Sequence, residues 1–254
     1  MAHAAHSRQT PVQHPHHQGR TVAVTGASGS LGRALLSAFH GQGARLIALT
    51  SSSEPLQLHD ADGRPIPLRQ VVWQCGQEEA LRSVLDEVDL LVLNHGVNVH
   101  GERSAAAVER SLAVNALSCW RLLELFGELA AADAGSGRAA RELWMNTSEA
   151  EIQAAVSPLY EISKRLQGQL LSLRSLDLAG PQLRIRRLVL GPFRSALNPI
   201  GVMGADFVAR EVLRQVRWNC GLVIVTPNPL TYLLMPLATL GRWLYFRAFS
   251  RAPG

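Results

Sequence analysis

The chain has 254 residues, 47% hydrophobic and 18% charged, with a formal net charge of +5 and a pI near 9.7. That is enough chain for one α/β domain with a full core, and its arginines are scattered, with no aromatic-interleaved basic stripe of the kind that binds nucleic acid. Cys75, Cys119 and Cys220 have no metal or disulfide spacing and read as buried thiols of a reducing compartment, so no metal is expected.

Residues 1–19 are rich in Ala, His, Gln and Pro and are expected to be a disordered tail, with neither the apolar run of a signal peptide nor the Arg content of a transit peptide. The folded region is expected to span residues 20–225. Thr21–Val24 reads as a short buried strand, followed at once by the glycine-rich stretch Thr25–Gly32 and then by helical periodicity from Arg33 to Phe39. Strand, glycine-rich turn and helix is the arrangement in which backbone N–H groups and a helix N-terminus hold a pyrophosphate. Gly26, Ser28, Gly29, Ser30, Leu31 and Gly32 are therefore candidate cofactor contacts.

The second strand, Arg45–Leu49, ends in Thr50-Ser51-Ser52-Ser53, with no acid before Glu54. An acid at that point would grip a ribose 2′-hydroxyl and repel a 2′-phosphate. Hydroxyls at Thr50 and Ser51, with Arg33 nearby, suit the phosphate of NADP(H).

Val71–Gln74 reads as a third strand, Glu78–Asp86 as a helix, and Leu90–Leu93 as a fourth strand running into Asn94-His95-Gly96. Ala106–Phe126 is amphipathic and helical, with Asn115 among apolar residues. Glu142–Met145 is a fifth strand ending in Asn146-Thr147-Ser148. Leu183–Leu190 is a sixth, followed by Gly191-Pro192, and Leu222–Val225 a seventh. This alternation predicts a Rossmann-like, doubly wound, mostly parallel seven-stranded α/β sheet with helices on both faces.

Between the fifth and sixth strands lies Ser157-Pro158-Leu159-Tyr160-Glu161-Ile162-Ser163-Lys164, which puts Tyr160 and Lys164 on one helix face. An ammonium beside a phenol favours the phenolate, a way to build a proton carrier for a carbonyl or alcohol oxygen. Lys164 is the only lysine in the chain. A sequence that otherwise spells positive charge as Arg keeps a compact ammonium here.

These motifs, together and in this order, resemble the short-chain dehydrogenase/reductase family from Arg20 to Val225. The resemblance implies a catalytic set of Asn115, Ser148, Tyr160 and Lys164. Tyr160 would be the general acid/base, and Lys164 would tune it and bind the nicotinamide ribose. Ser148 would hold the substrate oxygen, and Asn115 a relay water. Asn94 and Gly96 would line the cofactor, Pro192 would sit at its nicotinamide end, and Phe193–Phe207 would cover the substrate.

Four positions depart from the pattern. Ser30 replaces a glycine, so the turn also reads as TGxxGxxG, the form of the extended branch that includes sugar-nucleotide epimerases. Ser148 stands twelve residues before Tyr160, one fewer than usual, which makes Thr147 a rival. His95 replaces a small residue, and Gly191-Pro192 reverses a Pro-Gly order. Only 94 residues follow Tyr160. That length favours a reductase with a small substrate lid, acting on an apolar, lipid-like carbonyl or alcohol, over an extended-branch enzyme, the alternative being a non-catalytic dinucleotide-binding sensor or assembly protein. Some stretches also resemble reductases associated with sterol desaturase-like proteins.

Residues 226–254 form a separate C-terminal tail rich in Leu, Trp, Tyr, Phe and Arg, interrupted by Pro227, Pro229 and Pro236. The apolar run is short of the ~20 residues that span a bilayer. It suits either a membrane surface or a packing face within the protein or a homo-oligomer. The expected location is cytoplasmic, with the membrane surface as an attachment.

Overall fold

The protein is described here by a computed structural model that covers residues 17–251. The expected disordered tail lies outside the described residues as far as residue 16. Its last three residues belong to the fold, which corrects the boundary at residue 19. His17 is buried with its ring edge-on to Phe39 at 5.1 Å, and the Gly19 N–H donates to Gly43 O at 3.0 Å.

Among the described residues, seven parallel strands lie in the order β3-β2-β1-β4-β5-β6-β7. They are β1 (Thr21–Thr25), β2 (Arg45–Thr50), β3 (Arg69–Val72), β4 (Leu90–Leu93), β5 (Arg141–Ser148), β6 (Leu183–Leu190) and β7 (Leu222–Val225). The central strands are runs of Val, Leu, Ile and Ala buried on both faces, as a parallel sheet covered by helices requires. On one face Val22, Val24, Val92 and Trp144 pack against α1 (Ser30–His40) and α6 (Ala205–Arg217). On the other, Ala23, Leu91, Leu143 and Met145 meet α2 (Arg82–Asp86), α4 (Ser118–Ala132) and α5 (Pro158–Leu178). The strand order reverses between β1 and β4, and the crevice at their carboxyl ends is where such sheets bind ligands.

Three local details differ from expectation. The helix expected over 78–86 opens as a 3-10 turn, Glu78–Leu81, before α2. The run expected over 106–126 is longer: α3 (Ala105–Leu112), a π turn (Ala113–Leu117) and α4. Strand β5 continues to Ser148, so Asn146, Thr147 and Ser148 pair with β6 instead of following the strand.

The C-terminal tail is one helix, α7 (Pro229–Phe249), unbroken through Pro236. Pro229 occupies its first turn, where a missing N–H is harmless, and the Asn228 side chain caps Leu230 N at 3.1 Å. The helix is docked on the domain. Thr231 and Met235 are buried, and Arg242 reaches Glu151 at 3.1 Å. Glu151 is also held by Arg187 at 2.9 Å. Thr226 and Thr231 donate to Glu149 at 2.6 and 3.2 Å. No helix among the described residues is long and apolar enough to cross a membrane.

Candidate active site

The glycine-rich turn leaves β1 at the reversal point. Gly26 has φ of +61°, and a Cβ there would lie 2.9 Å from His95 Cα, so both the backbone angle and the space demand glycine. A Cβ on Gly32 would overlap the Gly26 carbonyl. The N-terminus of α1 has no side-chain cap, which leaves the N–H groups of Ser30, Leu31 and Gly32 unsatisfied within the helix. Ser30 is exposed there, and its hydroxyl is no obstacle to the turn.

Beside this turn the expected 2′-phosphate residues do converge. Thr50 Oγ1 donates to Ser28 Oγ at 3.3 Å, and Ser52 N donates to Thr50 Oγ1 at 3.1 Å. The Arg33 guanidinium bridges Ser28 O at 3.0 Å and Gln57 O at 3.3 Å. Ser51 is exposed at the same strand end. A cradle closed to any Cβ, an uncapped helix start and a guanidinium among hydroxyls together fit a phosphorylated dinucleotide.

On the other side of the reversal, Asn94 N and His95 N both donate to Thr25 Oγ1, at 2.8 and 3.2 Å. The Asn94 amide receives Asn146 Nδ2 at 2.9 Å, which ties the ends of β4 and β5 together. His95 turns inward, with Nδ1 2.8 Å from Thr25 Oγ1, Nε2 3.6 Å from Cys119 Sγ and its ring edge-on to Trp73. Burial, and then the Lys164 ammonium, lower its pKa to about 3, so the ring is neutral at physiological pH. Burial pushes the Cys119 thiol up to about 12.

Asn115 lies in the π turn between α3 and α4, fully buried. Its Oδ1 accepts from Val97 N at 2.7 Å, and its Nδ2 donates to Val97 O and to Ser163 Oγ, both at 2.9 Å. Both amide protons are thus spent on the segment after Gly96 and on α5. The side chain braces the segment after β4 against the Tyr160 helix. Single π turns of this kind are frequent at functional sites.

Strand pleating separates the two candidate hydroxyls. Thr147 Oγ1 donates to Leu188 O at 3.2 Å and is buried within the sheet. Ser148, the last residue of β5, only accepts at its Oγ, from Ala150 N at 3.2 Å, and so keeps its proton. Helix α5 begins ten residues later, with Ser157 bonded to His100 O at 2.7 Å. On it Tyr160 is half-buried, and the Lys164 Nζ is 5.7 Å from the centre of its ring. Lys164 is buried and donates to Asn146 O at 3.2 Å.

Beyond β6, Pro192 O accepts from Val202 N at 3.0 Å, which folds the expected lid into a loop that runs into α6. Asn98 Nδ2 donates to Leu197 O at 3.2 Å and joins this loop to the segment after β4.

A family model described as the NAD dependent epimerase/dehydratase family matches residues 22–165. The chain belongs to that family. It is 46% identical over 234 residues to the monoglucosyldiacylglycerol epimerase of Synechocystis sp. (strain ATCC 27184 / PCC 6803 / Kazusa), covering 92% of this chain and 56% of that protein. The chain thus spans just over half the length of this curated relative. Among solved structures it is similar to a short chain dehydrogenase from Burkholderia cenocepacia J2315 in complex with NADP, with a TM-score of 0.72 and 18% identity over 92% of this chain and 99% of that one. A short-chain dehydrogenase from Sphingobium yanoikuyae in complex with NADPH gives 0.70 and 17%, over 92% and 98%. At such identity these two show the fold alone.

Family match and fold agree: the chain belongs to the NAD dependent epimerase/dehydratase family and has the fold of the short-chain dehydrogenases. The family match and the curated relative lie with the epimerases, the branch that the length argument had set aside. None of these descriptions names a sterol desaturase-like partner.

Two residues of the site escaped the sequence reading. Asn146 joins Asn94 to Lys164, and Gln167, buried on α5, reaches both Lys164 and Asn146 O. The only signal for Gln167 was a polar residue three positions after Lys164, on the helix face that must be buried.

Proposed function

We propose that this chain moves a hydride between NADP(H) and an alcohol carbon of a lipid-borne substrate, with Tyr160 as the general acid/base. The observation that carries the reading is the Tyr160–Lys164 pair. The only lysine of the chain is fixed on Asn146 O beneath the phenol ring, one helix turn from it and beside the end of β5, where Ser148 keeps a hydroxyl proton.

Gly26, Ser28, Gly29, Ser30, Leu31 and Gly32 would hold the pyrophosphate, and Thr50, Ser51 and Arg33 the 2′-phosphate. Asn94, Gly96, Lys164 and Pro192 would line the nicotinamide side. When bound, the nicotinamide supplies a two-electron hydride acceptor and donor. Tyr160 takes the alcohol proton as the carbonyl forms and returns it in the reverse direction. Ser148 orients the same oxygen by donating its proton to it. Lys164 stabilises the negative charge that the Tyr160 oxygen carries before it takes the proton and again after it returns it.

The curated relative is named for a glycolipid epimerase, and this directs the reading to a sugar alcohol carried on a diacylglycerol. Oxidation followed by reduction from the opposite face would invert one carbon with no net use of cofactor. Apolar side chains in the loops after β5 and β6 favour a lipid-borne substrate, with Val156, Ile200 and Val202 at 98%, 83% and 67% exposure. The outer face of α7 points the same way. Leu230, Leu233, Leu237, Leu240 and Leu244 recur at steps of three and four and are all exposed, and no acidic residue follows Glu211 in the sequence. An apolar, acid-free helix face suits the surface of an anionic bilayer.

The test is incubation of the purified protein with monoglucosyldiacylglycerol in mixed micelles, with sugar analysis of the product and nicotinamide absorbance read together. A changed sugar with unchanged absorbance supports epimerisation. A stoichiometric absorbance change supports the net reductase reading. Neither change with any glycolipid or apolar carbonyl leaves the non-catalytic, dinucleotide-binding alternative.

A further inference from the structure

Lys164 is held on two sides, and the second hold is unassigned. Its ammonium has three protons. One goes to Asn146 O at 3.2 Å and another to Gln167 Oε1 at 3.0 Å. Gln167 Nε2 in turn lies 3.4 Å from Asn146 O, so the three groups close a triangle. The orientation of the amide follows from chemistry. An ammonium only donates and a carbonyl only accepts, so Oε1 must face Lys164 and Nε2 must face Asn146. Gln167 is 1% exposed and Lys164 4%.

We infer that Gln167 is a positioning residue for catalysis, a neutral clamp that fixes the Lys164 ammonium beneath Tyr160. The inference rests on the proposed roles of Tyr160 and Lys164. A buried ammonium needs acceptors, since leaving one of its protons unpaired penalises the charged form. Two acceptors in rigid positions also remove the freedom of a flexible four-carbon stem, leaving one proton for a ribose or the phenol. A carboxylate at residue 167 would accept equally well, but its charge would cancel that of the ammonium. An amide accepts without cancelling it. Asn146 carries the clamp into the cofactor crevice, because its side chain donates to Asn94, whose Nδ2 approaches Gly26 O at 3.5 Å.

A lone lysine makes the test direct. Protein labelled with 15N and 13C in lysine alone has a single side-chain ammonium resonance, that of Lys164. Hydrogen bonds that shelter the ammonium from exchange with water keep the resonance observable. The wild type should show the resonance. Gln167→Leu should lose it or broaden it, with kcat lowered on the order of tenfold and KM for substrate little changed. Gln167→Glu should restore the resonance but move the pH–rate profile, because a charge has entered the site. Gln167→Met, closer in shape, replaces the Leu variant if that one fails to fold.

An unchanged resonance and pH–rate profile in the apolar variants would overturn the inference, as would a wild type with no observable ammonium. Full activity in Tyr160→Phe, with the Lys164 resonance still sensitive to residue 167, would instead leave the clamp in place and overturn the catalytic reading beneath it.

Discussion

The Lys164 ammonium lies 5.7 Å from the centre of the Tyr160 ring, and both residues stand on one face of α5. The helix spacing of four brings them together, and the sheet fixes where they point through the Lys164 bond to Asn146 O. Tyr160→Phe removes one oxygen and leaves this arrangement intact. Turnover should fall by roughly 10²- to 10⁴-fold, the usual range for a lost acid/base, with the NADPH dissociation constant changed less than about threefold. Steady-state kinetics and fluorescence titration measure the two quantities separately, and lost cofactor binding would make Tyr160 structural.

Thr50 is buried, with its hydroxyl 3.3 Å from Ser28 Oγ, and Arg33 lies alongside on Ser28 O. Titration with both cofactors should show tighter binding of NADPH than of NADH. Thr50→Asp places a carboxylate against the 2′-phosphate and should reverse the preference, with a swing of at least about tenfold, or ~1.4 kcal/mol. Equal affinities in the wild type would refute the assignment of this corner.

His95 is neutral in the fold with a pKa near 3, against 6.5 as an unperturbed side chain. Between those values the unfolded chain binds the extra proton and the native state does not. Its contribution to stability is therefore complete above pH 6.5 and is lost progressively as pH falls toward 3. Urea unfolding of the wild type across that window should give a declining midpoint. His95→Ala should show a shallower decline, whatever its stability at neutral pH. Equal slopes would place the acid sensitivity elsewhere.

Leu233, Leu237 and Leu240 lie on the outer face of α7, each more than half exposed. Replacing all three with Gln should release the protein from vesicles containing anionic lipid. The melting temperature should hardly move, since exposed substitutions usually cost within about 0.5 kcal/mol each. Flotation and thermal melting of the same samples check this. A fall in melting temperature together with a change in oligomeric state would point to a second copy on this face.

Gly168 sits against the buried Glu151 carboxylate so closely that a Cβ would overlap it. Gly168→Ala should push Glu151 off Arg187 and Arg242, destabilising the fold by about 1–3 kcal/mol. A glycine inside a helix would ordinarily gain from the same change. Denaturant unfolding decides between the two signs.

Much of this protein was legible in its sequence because the information is local. The alternation of apolar strands and amphipathic helices, the glycines at 26 and 32, and the spacing of Tyr160 and Lys164 each depend on neighbours within a turn or a strand. The fold class followed from these alone, and the set of Asn115, Ser148, Tyr160 and Lys164 from the family resemblance that they carry. Tertiary structure decided what depends on groups far apart in the chain. Thr147 and Ser148 are adjacent hydroxyls until the pairing of β5 with β6 spends one of them on Leu188 O. Asn115 is a polar residue in an apolar helix until Val97 and Ser163 arrive from other elements to take both its amide protons. The proline-marked tail becomes one docked helix because Arg242 finds Glu151, 91 residues away in the chain. Gln167 acquires a role only when β5 brings the Asn146 carbonyl beside it, since a buried polar group is defined by the partner that satisfies it.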